Sequence, residues 1–520
     1  MDKKVWIALI LSMAVLFFYP YFIQQFYPAQ DAQKTAEEAA APTEQQAREA
    51  APALPAPPPV KEVRTTVETP LFSSVLSSNG GSIISFELKK YSEGLQDGRT
   101  VNASEKVGKR NSFATRLEIN GTVENISFFP STEAVTINES QQAELVYKGT
   151  SSTGLIIEKS YLFSSDAYLI DTGLKVTNPT GSTISVRAET VLFADVSGKD
   201  DTGYHQGPII RTADKLTRQD EGDPASTGTG QLKWLGLEDK YFLSAFIPQA
   251  EKQVSWSAEA PAPGQSRAAL QLPLTLAPGE TASFSYGSFI GPKEYDRLVK
   301  QGLGLEESIE FGWFDWLAKP SLVILNFFNR FLGNYGIAII ALTFIIKILF
   351  YPLTKKSLNS MREMQKMQPQ LAALKEKYKN DKEKMNKELM ELYKRNKINP
   401  LGGCLPMMLQ IPVFIALYEV LYVAIELRHA PFFFWIQDLS AKDPYYITPI
   451  LMGATMFVQQ KMTPTAMDPA QQKIMMFLPL IFTFMFLTFP SGLVLYWLVN
   501  NVLTIGQQYF IYKTPVKARA

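Results

Sequence analysis

A lysine at position 347 interrupts an otherwise apolar run, Tyr335 to Leu353 (YGIAIIALTFIIKILFYPL), that is long enough to cross a bilayer. A charge at that depth costs about 2.5 to 3.5 kcal/mol on insertion scales. Ionisable residues inside spans usually face a bundle interior or a wet cavity, so Lys347 is read as part of a functional site. Snorkelling is the alternative. Lys347 lies six residues from the end of the run, roughly 9 Å at the helical rise, and its stem could carry the ammonium to the interface.

The N-terminus supplies a second apolar run, Val5 to Ile23 (VWIALILSMAVLFFYPYFI), behind Lys3 and Lys4. It is too long for the core of a cleaved signal and lacks an obvious A-x-A-like site, so residues 1–28 are expected to form an uncleaved transmembrane anchor with a cytoplasmic N-terminus. Residues 29–59, rich in Ala, Pro, Gln and Glu, hold too few bulky apolar side chains to pack and are expected to be a disordered linker. From residue 60 to 292 short alternating runs appear, such as Ile170, Thr172, Leu174, Val176 and then Phe284, Tyr286, with turn signals at Asn79-Gly80-Gly81 and Asn178-Pro179. Period-2 alternation of this kind predicts an antiparallel all-β domain, large enough for one sandwich with its own core.

Residues 293–332 mix acids with aromatic and aliphatic residues, which predicts connecting and interfacial helices. Trp313 and Trp316 in this segment suit an interface or an ordinary core equally. A span over residues 333–353 follows, then a cytoplasmic helical hairpin over 354–400, spans 3 to 6 within 401–512, and a short tail at 513–520. The individual spans are placed at Gly333 to Leu353, Leu401 to Ile425, Tyr446 to Gln460, Ile474 to Phe489 and Leu493 to Ile511. The predicted fold class is thus a membrane α-helical bundle, five helices plus the anchor, carrying a large extracytoplasmic all-β domain.

Loop charge orients the bundle. Lys355 to Lys397 carries 13 Lys/Arg against 6 Asp/Glu, whereas Glu426 to Tyr445 carries Arg428 and Lys442 against Glu426, Asp438 and Asp443. The positive-inside rule then places both termini in the cytoplasm and the β domain outside. Bulk charge indicates no partner, because 51 basic residues nearly balance 50 acidic ones. With Cys404 the single cysteine, an internal disulfide is excluded, and with His205 and His429 the only histidines no metal site or cofactor is expected. The LGGC tract ending at Cys404 mimics a lipoprotein processing box, but it is internal and reads as coincidence.

Thr343, Lys347 and Tyr351 recur every four residues and share one helical face. Gln410 in the third span and Asn500, Asn501, Thr504 and Gln507 in the last lie at comparable depth, which suggests a polar groove in the inner leaflet; each amide taken singly could equally be an interhelical hydrogen bond. Glu419, some 27 Å from the cytoplasmic end of its span against 9 Å for Lys347 at the helical rise, is read as lying near the outer interface and unable to pair with it. In the hairpin, Met364, Met367, Leu371, Leu374 and Tyr378, then Met385, Leu389 and Leu392, predict two antiparallel helices broken near Asn380-Asp381. Its lysines, with Lys375, Lys377, Lys379 and Lys382 foremost, are either a solvated face or a docking surface for acidic lipid, ribosomal RNA or a targeting factor.

The order of these parts, with TFIIKILFYPLT (Thr343 to Thr354), NPLGGCLPMMLQIPVF (Asn399 to Phe414), DLSAKDPYYITPILMG (Asp438 to Gly453) and PSGLVLYWLVNN (Pro490 to Asn501), resembles the YidC membrane protein insertase family of Gram-negative bacteria over nearly the whole chain. The resemblance implies a periplasmic β-supersandwich domain and a five-helix insertase core in the inner membrane. It also implies a non-enzymatic activity, the insertion and folding of nascent membrane proteins, alone or with the SecYEG translocon, with the ribosome, targeting factors and membrane lipids as further partners. The family's groove cation falls on Lys347, its hydroxyl on Thr343, and its final-span aromatic near Tyr496 and Trp497. Bacterial members usually carry arginine where this chain has Lys347, and a buried lysine can lose its proton where arginine does not. A secondary transporter is the rival from another class, although five spans plus an anchor do not divide into the inverted repeats typical of transporters. A sugar-processing enzyme built on the β domain is a weaker rival, since His205 would be its only histidine.

Overall fold

The computed structural model describes residues 62–95, 98–107, 112–119, 121–195, 204–249, 254–262, 264–378, 381–396, 405–463 and 469–513. The anchor, the linker, Lys379 and the tail beyond Lys513 fall outside the described residues. Residues 60–365 with 401–520 form one compact unit, and residues 366–400 belong to another.

The β domain is built from three sheets. The largest runs Leu216–Arg218, Gly207–Thr212, Leu232–Glu238, Phe242–Pro248, Thr281–Pro292, Leu169–Thr177, Ile156–Ser164, Gln142–Thr150 and Phe128–Pro130 from edge to edge. A six-stranded sheet centred on Gln265–Leu276 and Ile184–Asp195 and a five-stranded sheet centred on Phe72–Ser77 complete it. The alternation read from the sequence is a burial pattern: Ile170, Thr172, Leu174 and Val176 are all buried, with Leu174 opposite Phe284 and Thr172 opposite Tyr286. Because successive side chains point to opposite faces, these residues supply one continuous apolar face. Among the described residues the pairing is antiparallel with one exception, the short strand Ala134–Thr136, which joins Arg64–Glu68 in parallel.

Two buried polar devices hold this domain and its exit. Lys159 is fully buried, and its Nζ donates to the carbonyls of Gly81 (3.1 Å), Gly80 (3.3 Å) and Phe113. It thereby ties the Asn79-Gly80-Gly81 turn, where both glycines take positive φ (68° and 55°), to the Ile156–Ser164 strand of the large sheet. Burial pushes the Lys159 amine well below its usual pKa. Near the exit, the fully buried Glu238 accepts from Lys293 Nζ (2.6 Å), Arg218 Nε (2.7 Å) and His205 Nδ1 (3.0 Å). Arg218 and Tyr204 also donate to the Ser308 carbonyl, at 3.0 and 3.3 Å, which pins the chain where it leaves the β domain. Burial alone would raise the Glu238 pKa, but Lys293, His205 and Arg218 outweigh it and hold the carboxyl down at about 2.

Ten helices are described. They are α1 (Ala103–Val107), α2 (Tyr295–Gln301), α3 (Asp315–Leu332), α4 (Tyr335–Lys366), α5 (Gln368–Lys377), α6 (Lys382–Arg395), α7 (Leu405–Val423), α8 (Ile447–Met462), α9 (Pro469–Phe486) and α10 (Ser491–Lys513). Helix α4 is long and apolar enough to cross a membrane by length and composition; α7 and α9 hold shorter apolar stretches, Met408–Val423 and Met475–Phe486. Glycines set the closest helix contacts. A Cβ on Gly453 of α8 would lie 1.9 Å from Thr483 Oγ1 of α9, and one on Gly336 of α4 would lie 2.0 Å from the Phe432 ring.

The hairpin differs from its expected form. Helix α4 does not stop near Leu353 but continues through Pro352 to Lys366, and the chain bends at Met367, before Gln368 and Pro369 open α5. Proline has no N–H to give to a preceding turn, so it starts a new helix more readily than it prolongs one. The second break lies where it was expected, at Asp381, whose side chain caps α6 by accepting from Lys384 N at 3.0 Å.

Replacing Lys159 by Met should remove the lysine donor from three buried carbonyls, of which Gly80 keeps the Thr115 N–H and Gly81 the Tyr161 hydroxyl, and destabilise the β domain by about 1 to 3 kcal/mol. Hydrogen exchange of the full chain in micelles, read at the 79–82 turn, measures this. Because the Glu238 pKa is depressed on folding from 4.5 to about 2, its contribution is complete above about pH 4.5 and is lost as the pH falls toward 2. Exchange protection of the 305–310 segment should therefore fall across that window. In Glu238→Gln it should already be lowered at neutral pH, by about 3 to 5 kcal/mol, because the buried Lys293 and Arg218 keep no carboxylate.

Candidate functional site: a polar seam between three core helices

Helix α10 is where the expected groove residues meet. Tyr496, Asn500, Thr504 and Gln507 are spaced four, four and three apart, so they form one stripe along it. Lys347 of α4 reaches this stripe and donates from Nζ to Thr504 Oγ1 at 2.7 Å. The threonine hydroxyl in turn donates to the Asn500 carbonyl at 2.6 Å. From α7, Gln410 Nε2 donates to the Tyr496 hydroxyl. Lys347, Thr504 and Asn500 thus form one chain of hydrogen bonds, with Gln410 and Tyr496 a second bridge on the same stripe. Among the described residues no carboxylate stands beside Lys347 as an ion-pair partner.

Other expected members take different positions. Thr343 is fully buried and returns its hydroxyl to the Ile339 carbonyl of its own helix at 2.7 Å. A buried hydroxyl that has no partner across the interface satisfies itself on the preceding turn. Tyr351 is 46% exposed, with Lys355 Nζ 6.0 Å from its ring centre. Asn501, one residue beyond Asn500, is turned about 100° around the helix and faces α8, donating to Thr455 Oγ1 at 3.3 Å and to the Met452 carbonyl at 3.5 Å. Trp497 belongs to an aromatic cluster, 4.8 Å from Phe414, 5.4 Å from Phe486 and 6.1 Å from Phe482 between ring centres. That cluster is an apolar wall joining α7, α9 and α10.

The α8 contact was not anticipated. Gln508 repeats the arrangement of Asn501 two turns later, donating to Thr463 Oγ1 at 3.1 Å. Its signal was present in the sequence, since Asn501 and Gln508 are a heptad apart and Thr455 and Thr463 are spaced for the same face. Helix α10 is therefore polar on two sides, one toward Lys347 and one clamped to α8.

The outer end of the core carries a second unanticipated feature, contacts with the β domain. Arg428 donates to the carbonyls of Ser92 (2.8 Å) and Glu93 (3.0 Å), the Tyr295 N–H donates to Glu426 Oε1 (2.9 Å), and Lys240 Nζ lies 3.6 Å from the Tyr422 ring centre. Burial, reinforced by Glu294 and Asp296 nearby, raises the Glu426 carboxyl to about 7. Glu419 lies beside this junction, its Oε1 3.4 Å from where a Gly312 Cβ would stand. In the hairpin, Lys377 is exposed with its Nζ 5.2 Å from the Tyr378 ring centre. Lys375 lies on α5 and Lys382 opens α6.

The buried pairing of His205 with Glu238 is no hydrolytic dyad. A carboxylate already bonded by lysine, arginine and histidine is a poor base, and both His205 nitrogens face acceptors, Glu238 Oε1 and the Gln219 carbonyl at 3.1 Å. Among the described residues no cluster of His, Cys, Asp and Glu is arranged to hold a metal ion.

Comparison with known proteins agrees with this architecture. The family described as "60Kd inner membrane protein" matches residues 327–518, and the "YidC periplasmic domain" matches residues 64–324. Membrane protein insertase YidC of Syntrophus aciditrophicus (strain SB) is 45% identical over 553 residues, covering 99% of this chain and 100% of the relative. That of Geobacter metallireducens is 44% identical over 544 residues, covering 100% of both. A solved active YidC insertase with its first transmembrane domain resolved aligns over 88% of this chain and 95% of its own at 20% identity and a TM-score of 0.39, and it adds nothing to the sequence matches. Nothing in these comparisons supports a transporter. The chain belongs to the YidC family of membrane protein insertases.

Proposed function

We propose that the seam around Lys347 is the substrate-receiving surface through which this chain inserts membrane proteins. The chain is a membrane protein insertase, and its substrates are nascent membrane proteins. One observation carries the assignment of the site: the Lys347 ammonium is held on the polar stripe of α10 with no carboxylate beside it among the described residues. Its charge is left to attract an incoming acidic or polar segment and to shorten that segment's path through lipid. An apolar segment of the same substrate would slide along the aromatic wall of Phe414, Phe482, Phe486 and Trp497. The action requires no covalent step.

The remaining parts fit around this reading. Helices α4, α7, α8, α9 and α10 are taken as five spans with both termini in the cytoplasm, supported by the positive-inside bias of the loops. Helix α3, whose Phe327 and Phe331 are exposed together with Trp316, is taken as lying along the outer membrane surface. The SecYEG translocon, the ribosome, targeting factors and anionic lipid are the proposed partners, the last three meeting the basic 366–400 unit.

Insertion of matched substrates with neutral and acidic translocated tails tests the site. Lys347→Arg should retain activity, Lys347→Ala should be intermediate, and Lys347→Glu should fail chiefly on acidic tails. If Lys347→Glu inserts acidic tails as well as the unchanged chain, the groove mechanism is wrong for this protein. Neutralising Lys375, Lys377, Lys379 and Lys382 together should weaken binding to ribosomes or anionic vesicles and flatten its salt dependence. Sedimentation at two salt concentrations would refute docking if both variants bound alike.

A further inference from the structure

Resting on the groove reading, we propose that Thr504 is the positioning residue for Lys347, and that a lysine at this position depends on it in a way an arginine would not. Hydrogen-bond direction argues for this. The only proton of the Thr504 hydroxyl is committed to the Asn500 carbonyl, 2.6 Å away. Its lone pairs are therefore left to face Lys347 Nζ at 2.7 Å, so the hydroxyl acts as a fixed acceptor for the amine. An ammonium on a flexible stem is a point donor with many rotamers, and one oriented acceptor selects among them.

Two more acceptors bracket Thr504 on the same stripe. Asn500 Oδ1, four residues before it, and Gln507 Oε1, three residues after it, are buried and have no hydrogen-bond partner among the described residues. Lysine engages Thr504 and leaves these two oxygens unanswered. A guanidinium, with five donors in a planar fork, can satisfy more than one acceptor of such a stripe at once. Thr504 should then matter less when position 347 is arginine.

A double-variant cycle tests this in the full chain reconstituted into vesicles. The four chains are unchanged, Thr504→Val, Lys347→Arg and the double variant, each assayed with acidic-tailed and neutral-tailed forms of one substrate. Thr504→Val should lower insertion of the acidic form by about tenfold, the scale of one hydrogen bond to a charged group. The neutral form should change little, and Thr504→Ser, which keeps the hydroxyl, should restore activity. In the Lys347→Arg background, Thr504→Val should cost less than threefold. A readout independent of activity is the ¹⁵Nζ resonance of Lys347, identified by its loss in Lys347→Arg, which should move in Thr504→Val and stay in Thr504→Ser.

Equal loss on both substrates, no rescue by serine, or the same loss in both backgrounds would overturn the positioning role. An unmoved resonance in Thr504→Val would do so whatever the insertion assays give. Failure of the underlying groove reading is distinguishable, because then Lys347→Glu itself would spare acidic-tailed substrates.

Discussion

The desolvation of one ammonium is the constraint on which the core's arrangement depends. Lys347 sits on a helix that is apolar over most of its length, and an unpartnered charge there would be expelled or neutralised. The answer lies on another helix. A threonine hydroxyl, oriented by the carbonyl one turn earlier, takes the amine from across the bundle, and that requires α10 to present its polar stripe toward α4. The second polar side of α10, Asn501 and Gln508 against Thr455 of α8 and Thr463 just past its end, fixes the helix's rotation so that the first side faces correctly.

Small residues and aromatic residues share the remaining work of the bundle. Gly453 lets α8 and α9 approach until a side chain would collide with Thr483, and Gly336 admits the Phe432 ring. Dispersion and close packing favour helix association in lipid, where burial of apolar surface contributes little, so such contacts matter more there than in water. The Trp497 cluster gives the seam an apolar flank directly beside its polar stripe. A surface with both characters side by side suits a substrate that itself has a polar tail and an apolar segment.

The β domain meets the core through polar contacts as well as through the chain. Arg428 grips two carbonyls of the 92–93 turn, and Glu426 receives the first N–H of α2. Behind them, Glu238 and its three side-chain partners hold the exit segment at Ser308. The sequence alone offered a linker and a helix as the connection, and neither side of these contacts is a recognisable motif. Charged residues in a loop look the same whether they meet water or, as Arg428 does, a carbonyl more than three hundred residues earlier.

Periodicity determined the broad architecture. The alternation at Ile170 to Val176 revealed a sheet face, and the apolar runs revealed the core helices, because burial acts at every second or every third to fourth residue and leaves its mark along the chain. Composition and charge likewise isolated Lys347, since a lysine in an apolar run is legible without coordinates. The tertiary structure decided its partners. Thr343 lies one turn from Lys347 in sequence yet bonds its own helix, whereas Thr504, 157 residues away, holds the amine. Asn500 and Asn501 are neighbours, yet they face different helices because adjacent helical residues diverge by about 100°. Helix rotation and approach set which polar groups meet, and these depend on packing summed over the whole bundle, which no local stretch of sequence records.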